Sequence, residues 1–178
     1  MSFKYPASTE AFKELLGQQR VKRGTTVIEQ QVDENGIRLG EGRRPGFALE
    51  KTETTVVGAA GSIIESAITV TGTCIVSNAM LHCDANTPAV TVESGGYCIL
   101  SGCHITKKAG IQGAADRYVH VKTGGRAVVV GCFFHNAQPA GWAVDNDDAG
   151  NPGRAMVTGC VNLTGRVSQN ATIQQEVT

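Results

Sequence analysis

The chain has no excess of charge of either sign. Its 16 lysine and arginine residues balance 16 aspartate and glutamate residues. Diffuse electrostatic attraction to nucleic acid or to anionic lipid therefore has no support across the molecule as a whole. We expect neither a nucleic-acid partner nor a membrane partner.

Long apolar runs are also missing, because no stretch of 18 consecutive apolar residues occurs. The amino-terminal stretch MSFKYPASTEAF has neither the basic start nor the apolar stretch of a secretory signal. We therefore expect synthesis in a reducing cytosol. In that compartment the six cysteines are expected to be buried thiols rather than disulfides.

Leucine is scarce, with 7 residues, whereas valine contributes 19, threonine 17 and glycine 22. This balance favours twisted strands and tight turns over packed helices. The length of 178 residues suits one domain. The composition therefore predicts a single all-β unit.

Beyond residue 60 the sequence repeats itself. The four copies begin at Gly72, Gly96, Gly125 and Gly153, so they are similar but not identical in length. Short β-branched alternations precede the first three copies, at Ile68–Val70, Val90–Val92 and Val119–Val121. Each copy holds about three short strands. The pattern predicts a parallel β-solenoid whose coils stack about 4.8 Å apart.

Stacked coils place equivalent residues above one another, and three columns of small or aliphatic residues are predicted to face inward. They are Cys74, Cys98, Ala127 and Ala155; Val76, Leu100, Val129 and Val157; and Ala79, Cys103, Cys132 and Cys160. A bend precedes the last column, with Asn78, Gly102, Gly131 and Gly159 in equivalent places. These residue types predict a positive φ at the bend.

The residues between the inward columns are expected to point outward, yet they are apolar in all four copies. This outer ladder consists of Ile75, Ile99, Val128 and Met156. A strand that is apolar on both faces is covered on both faces. The sequence predicts that other subunits cover the ladder, or alternatively that the amino-terminal hairpin or helix folds back over it.

The amino-terminal segment has the pattern of a short helix, which Ser8 or Thr9 can cap and Gly17 can end. Its apolar stripe consists of Phe12, Leu15 and Leu16, which require a surface to pack on. The basic residues Arg20, Lys22 and Arg23 follow, in a stretch interpreted as a solvated linker over residues 18–24.

Three parts of the chain are therefore predicted. Residues 1–24 form an arm with the short helix, and residues 25–62 form the leading strands or a hairpin. The hairpin is favoured by the turn dipeptide Asn35-Gly36 between Thr25–Val32 and Ile37–Leu39. Residues 63–178 form the parallel β-helix and a carboxyl-terminal tail.

The repeat combines a Val-x-Val alternation, a Gly-Gly pair, an apolar triplet and a Gly-Cys pair. Over residues 63–164 it resembles the right-handed parallel β-helix shared by pectate-lyase-like enzymes and by tailspike and related structural proteins of tailed-phage virions. The resemblance is one of architecture. It implies an all-β, right-handed parallel β-helix of about four rungs, but the same fold carries enzymes and inert spacers.

No catalytic or metal-binding motif accompanies the repeats. Residues 145–150 superficially resemble a calcium loop, but Ala149 and Met156 occupy two of its ligand positions. We interpret the segment as a solvated bend, with a weak surface ion site as the alternative. The Cys103, Cys132 and Cys160 column also accepts Ala79, which favours small buried hydrophobes over a metal stack.

The sequence thus predicts a structural protein without enzymatic activity, cofactor or metal. We expect a homotrimer in a tailed-phage virion, decorating the capsid or forming a small spike, with the outer ladder as interface. The arm, with its apolar stripe and its basic residues, is expected to attach to the capsid or to another virion protein. The alternatives are a polysaccharide-active β-helix enzyme and a carbohydrate-binding tailspike module that binds a host surface glycan.

Overall fold

The computed structural model describes residues 19–23, 26–33, 36–50, 54–84, 87–107, 117–135, 142–162, 166–169 and 171–175. These residues are all-β, with one short 3-10 helix at Pro152–Arg154 and no α-helix. The predicted amino-terminal helix lies outside the described residues, and so do Phe12, Leu15 and Leu16.

The strands follow one another in six coils of three, after two leading strands, β1 (Gln19–Arg23) and β2 (Thr26–Asp33). The first three coils contain β3 (Gly36–Leu39), β4 (Gly42–Arg44) and β5 (Ala48–Leu49); β6 (Thr54–Gly58), β7 (Ser62–Ile64) and β8 (Ile68–Val70); and β9 (Thr73–Ser77), β10 (Met80–Cys83) and β11 (Val90–Val92). The last three contain β12 (Tyr97–Ser101), β13 (His104–Lys107) and β14 (Arg117–Val121); β15 (Arg126–Val130), β16 (Phe133–His135) and β17 (Trp142–Asn146); and β18 (Ala155–Thr158), β19 (Val161–Asn162) and β20 (Arg166–Gln169). Strand β21 (Thr172–Gln175) follows the sixth coil.

Equivalent strands of successive coils pair in parallel and build three sheets. Sheet 1 has the order β1-β2-β3-β6-β9-β12-β15-β18-β21, sheet 2 runs from β4 to β19, and sheet 3 runs from β5 to β20. The described residues therefore contain six complete coils, where the sequence predicts about four. The two additional coils are shorter than the later ones, since one turn of chain leads from Gly36 to its neighbour Thr55 and the next leads from Thr55 to Ile75.

The amino-terminal end of sheet 1 is extended by antiparallel strands. The predicted hairpin is confirmed, because β2 pairs antiparallel with β3. Strand β1 pairs antiparallel with β2 in turn, so the interpretation of residues 18–24 as a linker is wrong. A bare β3 would expose an unpaired sheet edge, and the hairpin covers it. The three strands continue the sheet, so the alternative that this hairpin folds over the outer ladder is also wrong.

The interior consists of the predicted columns, in the predicted register. Cys98 pairs with Cys74 and Ala127, and Leu100 pairs with Val76 and Val129; all of these residues are buried. The bend residues have positive φ angles as expected: 54° at Asn78, 60° at Gly102, 58° at Gly131 and 60° at Gly159.

Candidate functional site

The outer side of sheet 1, called the apolar face below, carries the predicted ladder. The strand registers align its members Ile75, Ile99, Val128 and Met156. The most exposed large apolar side chains of the described residues also lie on this face: Val57 (39% exposed), Ile75 (39%) and Val130 (37%). The described part of the chain leaves the ladder partly exposed to solvent. In an isolated subunit this exposure of apolar side chains to water is unfavourable.

A polar and aromatic column runs beside the ladder. Tyr97 and Arg126 pair in register on adjacent strands, and Arg154 comes directly before Ala155, the partner of Ala127. These three side chains border a groove of about 540 Å³, called the corner groove below. Val128 and Met156 line it as well, so the corner groove lies along one margin of the apolar face.

Some of the charged side chains in and near the corner groove have ion-pair partners among the described residues, and one does not. Arg154 Nε lies 3.0 Å from Asp148 Oδ2. Lys122 Nζ lies 2.7 Å from Glu93 Oε1. Within the described ranges, no residue forms an ion pair or a side-chain hydrogen bond with Arg126, whose side chain is exposed. The groove therefore contains a guanidinium group whose charge no described residue neutralises.

An ion-pair network on the outer side of sheet 3 joins the fourth and fifth coils. Arg117 Nε lies 2.9 Å from Asp145 Oδ2, and its Nη1 lies 3.6 Å from Asp147 Oδ1. His120 Nε2 lies 2.9 Å from the same Asp147 oxygen. One ligand atom each from His120, Asp145 and Asp147 lies within 4.8 Å of the other two. Since Arg117 supplies the positive charge between the carboxylates, the arrangement is that of a salt-bridge network.

Sequence reasoning missed this network. Asp145 was assigned to a solvated bend, which is wrong, because it belongs to β17 and its side chain is only 9% exposed. The signal was present in the repeat, since His120 and Asp145 occupy equivalent positions in adjacent coils. Arg117 and Asp147 lie outside the aligned repeat columns, so their approach depends on the stacking of the coils.

The six cysteines are free and buried, as the sequence predicts. Cys74 Sγ and Cys98 Sγ share a hydrogen bond over 3.5 Å, and this hydrogen bond together with burial raises the pKa of the Cys98 thiol. In the other column the hydrogen bond with Cys132 lowers the pKa of Cys160 to about 7. Tight stacking in the core keeps these thiols away from solvent.

The outer side of sheet 2 carries an aromatic cluster. The rings of His104 and Phe133 meet edge-on, with centroids 5.1 Å apart, and those of His104 and His135 stack with centroids 6.2 Å apart. Burial lowers the pKa of His104, and the nearby charge of His135 lowers it further. The apolar residues Ile63, Met80 and Val161 extend this column to the neighbouring coils.

The structure places only part of the expected attachment surface. Arg20, Lys22 and Arg23 lie on β1, the edge strand of sheet 1. Charged side chains on an edge strand oppose further strand pairing. The apolar stripe that was expected to act with them lies outside the described residues.

Comparison with known proteins returns no match to a family model, to a curated protein or to a solved structure. Among the described residues, no helix has the length and apolar character needed to cross a bilayer. The function must therefore be argued from the surfaces of this chain.

Proposed function

We propose that this chain is a structural, non-enzymatic protein of a tailed-phage virion. In this proposal it is a homotrimer of parallel β-helices that decorates the capsid or forms a small spike. The observation that carries the proposal is the concentration of exposed apolar side chains, Val57, Ile75 and Val130 among them, on one face of one sheet. The architectural resemblance to β-helical virion proteins supports the proposed location in the virion.

A second copy of the chain is the occupant that suits the apolar face. Every copy carries the same ladder, with rungs about 4.8 Å apart, so ladders of aligned copies meet with matching periods. Buried apolar area then replaces the exposed strip, which matters for a narrow coil stack with a thin core. Closed point-group symmetry is the usual outcome of such self-association, and we propose three copies.

We propose that the coils wind in the right-handed sense. From β3, the chain passes through β4 and β5 before it reaches β6, the parallel neighbour of β3. Parallel strands of one sheet that are joined by such a crossover are connected right-handedly in almost all proteins, because strands twist to the right. The same connection recurs in each following coil.

Replacing Ile99 by Asp tests the interface. The variant places a charge in the middle of the ladder, and we expect it to sediment and scatter as a monomer while the wild-type chain is a trimer. The matched control is Thr91→Asp, which adds the same charge on β11 of sheet 3, where Thr91 is half-buried and outward-facing. A wild-type monomer at micromolar concentration in light scattering would refute the proposal.

The network on sheet 3 favours one second candidate, a polysaccharide-active enzyme. His120 Nε2 lies 2.9 Å from the exposed carboxylate of Asp147, a distance at which an acid–base pair exchanges a proton, and 2.8 Å from Arg117 Nη1. Asp145, buried and ion-paired, would position Arg117 beside them. Release of reducing ends from polysaccharides by the wild-type chain, lost in Asp147→Asn, would favour this candidate; no release by the wild-type chain excludes it for the polysaccharides tried.

A further inference from the structure

The corner groove lies where strands of sheet 3 turn into strands of sheet 1. Glycines with positive φ form this turn, with 82° at Gly95 and 88° at Gly124. A Cβ atom at Gly95 would meet no atom within 4 Å, so the backbone there borders open space. The volume of about 540 Å³ lies in the range of small-molecule sites.

Three side chains at this groove follow the stacking of the coils. Tyr97 and Arg126 pair in one outward column on successive coils, about one strand spacing apart, and Arg154 ends the 3-10 helix directly before β18. Stacked parallel strands hold the backbones of Tyr97 and Arg126. The groove therefore presents an aromatic ring beside two guanidinium groups.

The two arginines differ in what holds them. Asp148 contacts Nε of Arg154 at 3.0 Å and also accepts hydrogen bonds from Asn151 Nδ2 at 3.0 and 3.1 Å. Because the hydrogen bonds from Asn151 fix the Asp148 carboxylate, the carboxylate in turn orients Arg154. Arg126 has no such partner in the described part of the chain. An anion in the groove would meet one oriented and one available guanidinium, the group that binds carboxylates in a two-pronged manner.

We infer that the corner groove binds a carboxylate-bearing saccharide, with the carboxylate on Arg126 and Arg154 and the sugar ring on Tyr97. In a uronic acid residue the carboxylate is bonded directly to the ring, so one residue can place its ring on Tyr97 and its charge on the neighbouring Arg126. A tyrosine ring packs against the apolar side of a sugar while its hydroxyl group remains available for hydrogen bonding. The overall charge balance of the chain disfavours a longer polyanion such as nucleic acid.

The groove shares Val128 and Met156 with the ladder, whereas the saccharide contacts are assigned to Tyr97, Arg126 and Arg154 beside it. Arg126 stands beside the ladder rather than in it, so its truncation removes a charge from the groove and leaves the apolar side chains in place. Binding of a saccharide and self-association can therefore be tested separately on the same variants.

The test is titration calorimetry of the full chain with three probes: an oligosaccharide of glucuronic acid, the uncharged glucose oligosaccharide of the same length, and poly-glutamate. We expect the acidic saccharide to bind, and the neutral saccharide and poly-glutamate to bind at least about tenfold more weakly. Arg126→Ala and Arg126→Gln should each weaken binding of the acidic saccharide by about tenfold or more. The matched control is Arg38→Ala, because Arg38 is an exposed arginine on β3 of the same sheet, away from the groove.

Four results would overturn the inference. Three of them are absence of binding at millimolar acidic saccharide, equal affinity for the neutral saccharide, and unchanged affinity in both Arg126 variants. Equal or tighter binding of poly-glutamate would likewise reject it, since the occupant would then be an acidic peptide. Light scattering of Arg126→Ala shows whether the variant still forms the oligomer. Loss of saccharide binding in an intact oligomer supports the groove assignment, whereas a monomeric wild-type chain refutes only the proposed trimer.

Discussion

At the scale of the residue, the bends that follow the strands of sheet 1 show how strictly the backbone selects side chains. All four bends have φ between 54° and 60°, and three contain glycine while one contains asparagine. Residues with a larger side chain meet the following carbonyl in this conformation. The requirement is local, which is why the repeat alone predicts it.

Gly131→Ala should therefore lower the free energy of unfolding by about 1 to 2 kcal/mol. An added Cβ meets no atom within 4 Å there, so the cost comes from the backbone conformation alone. At Gly102 the added Cβ would lie 2.9 Å from Asn78 Oδ1, and we expect Gly102→Ala to cost more. Urea denaturation of both variants measures the difference, and equal stability of Gly131→Ala and wild type would contradict the prediction.

At the scale of the element, strand β1 illustrates where periodicity fails. Its sequence, Gln-Arg-Val-Lys-Arg, has one apolar residue and no alternation, so only its basic charge was recognised. The strand exists because β2 offers it a hydrogen-bonding edge. A charged edge strand then ends the sheet and opposes unwanted pairing with other chains.

The outer side of sheet 2 should make stability depend on pH. Burial holds the pKa of His104 below its usual value of 6.5, so the folded chain binds fewer protons at this site than the unfolded chain. The stabilisation is present above pH 6.5 and is lost as the pH falls towards the lowered pKa of the folded state.

The wild-type chain should lose free energy of unfolding when the pH falls from about 7.5 to about 5. His104→Gln should make this loss smaller, because the variant lacks the histidine that binds a proton mainly in the unfolded chain. The groups facing His104 from the neighbouring strands are Met80, Phe133 and His135, and His135 remains in the variant. Urea denaturation of both proteins at the two pH values measures this difference. The same pH dependence in variant and wild type would show that His104 does not contribute.

At the scale of the whole molecule, the described residues contain six coils, whereas sequence repeats indicate about four. The first two coils are shorter and lack the glycine–cysteine bend, so they offer few residues to align with the later copies. Their strands nevertheless stack in register, because the edge of each coil is a template for the next.

The boundary of the arm also changes. A deletion through residue 20 would cut into β1, which begins at Gln19. Deleting residues 1–18 instead should leave a β-rich oligomer that no longer sediments with capsids, because it removes the apolar stripe Phe12, Leu15 and Leu16 and retains the sheet. Circular dichroism and light scattering check the fold and the assembly. Undiminished capsid binding by the truncated chain would place the attachment surface on the coils.

The sequence by itself determined the strand class, the inward columns, the positive-φ bends and the outer ladder, because each is a local feature that recurs at every later coil. The tertiary structure alone decided the number of coils, the edge strand, the ion-pair network and the corner groove. Arg117 and Asp147, like Tyr97 and Arg154, belong to different coils and are far apart along the chain. Only the stacking of those coils, whose connections vary in length and composition, brings such side chains to the same site.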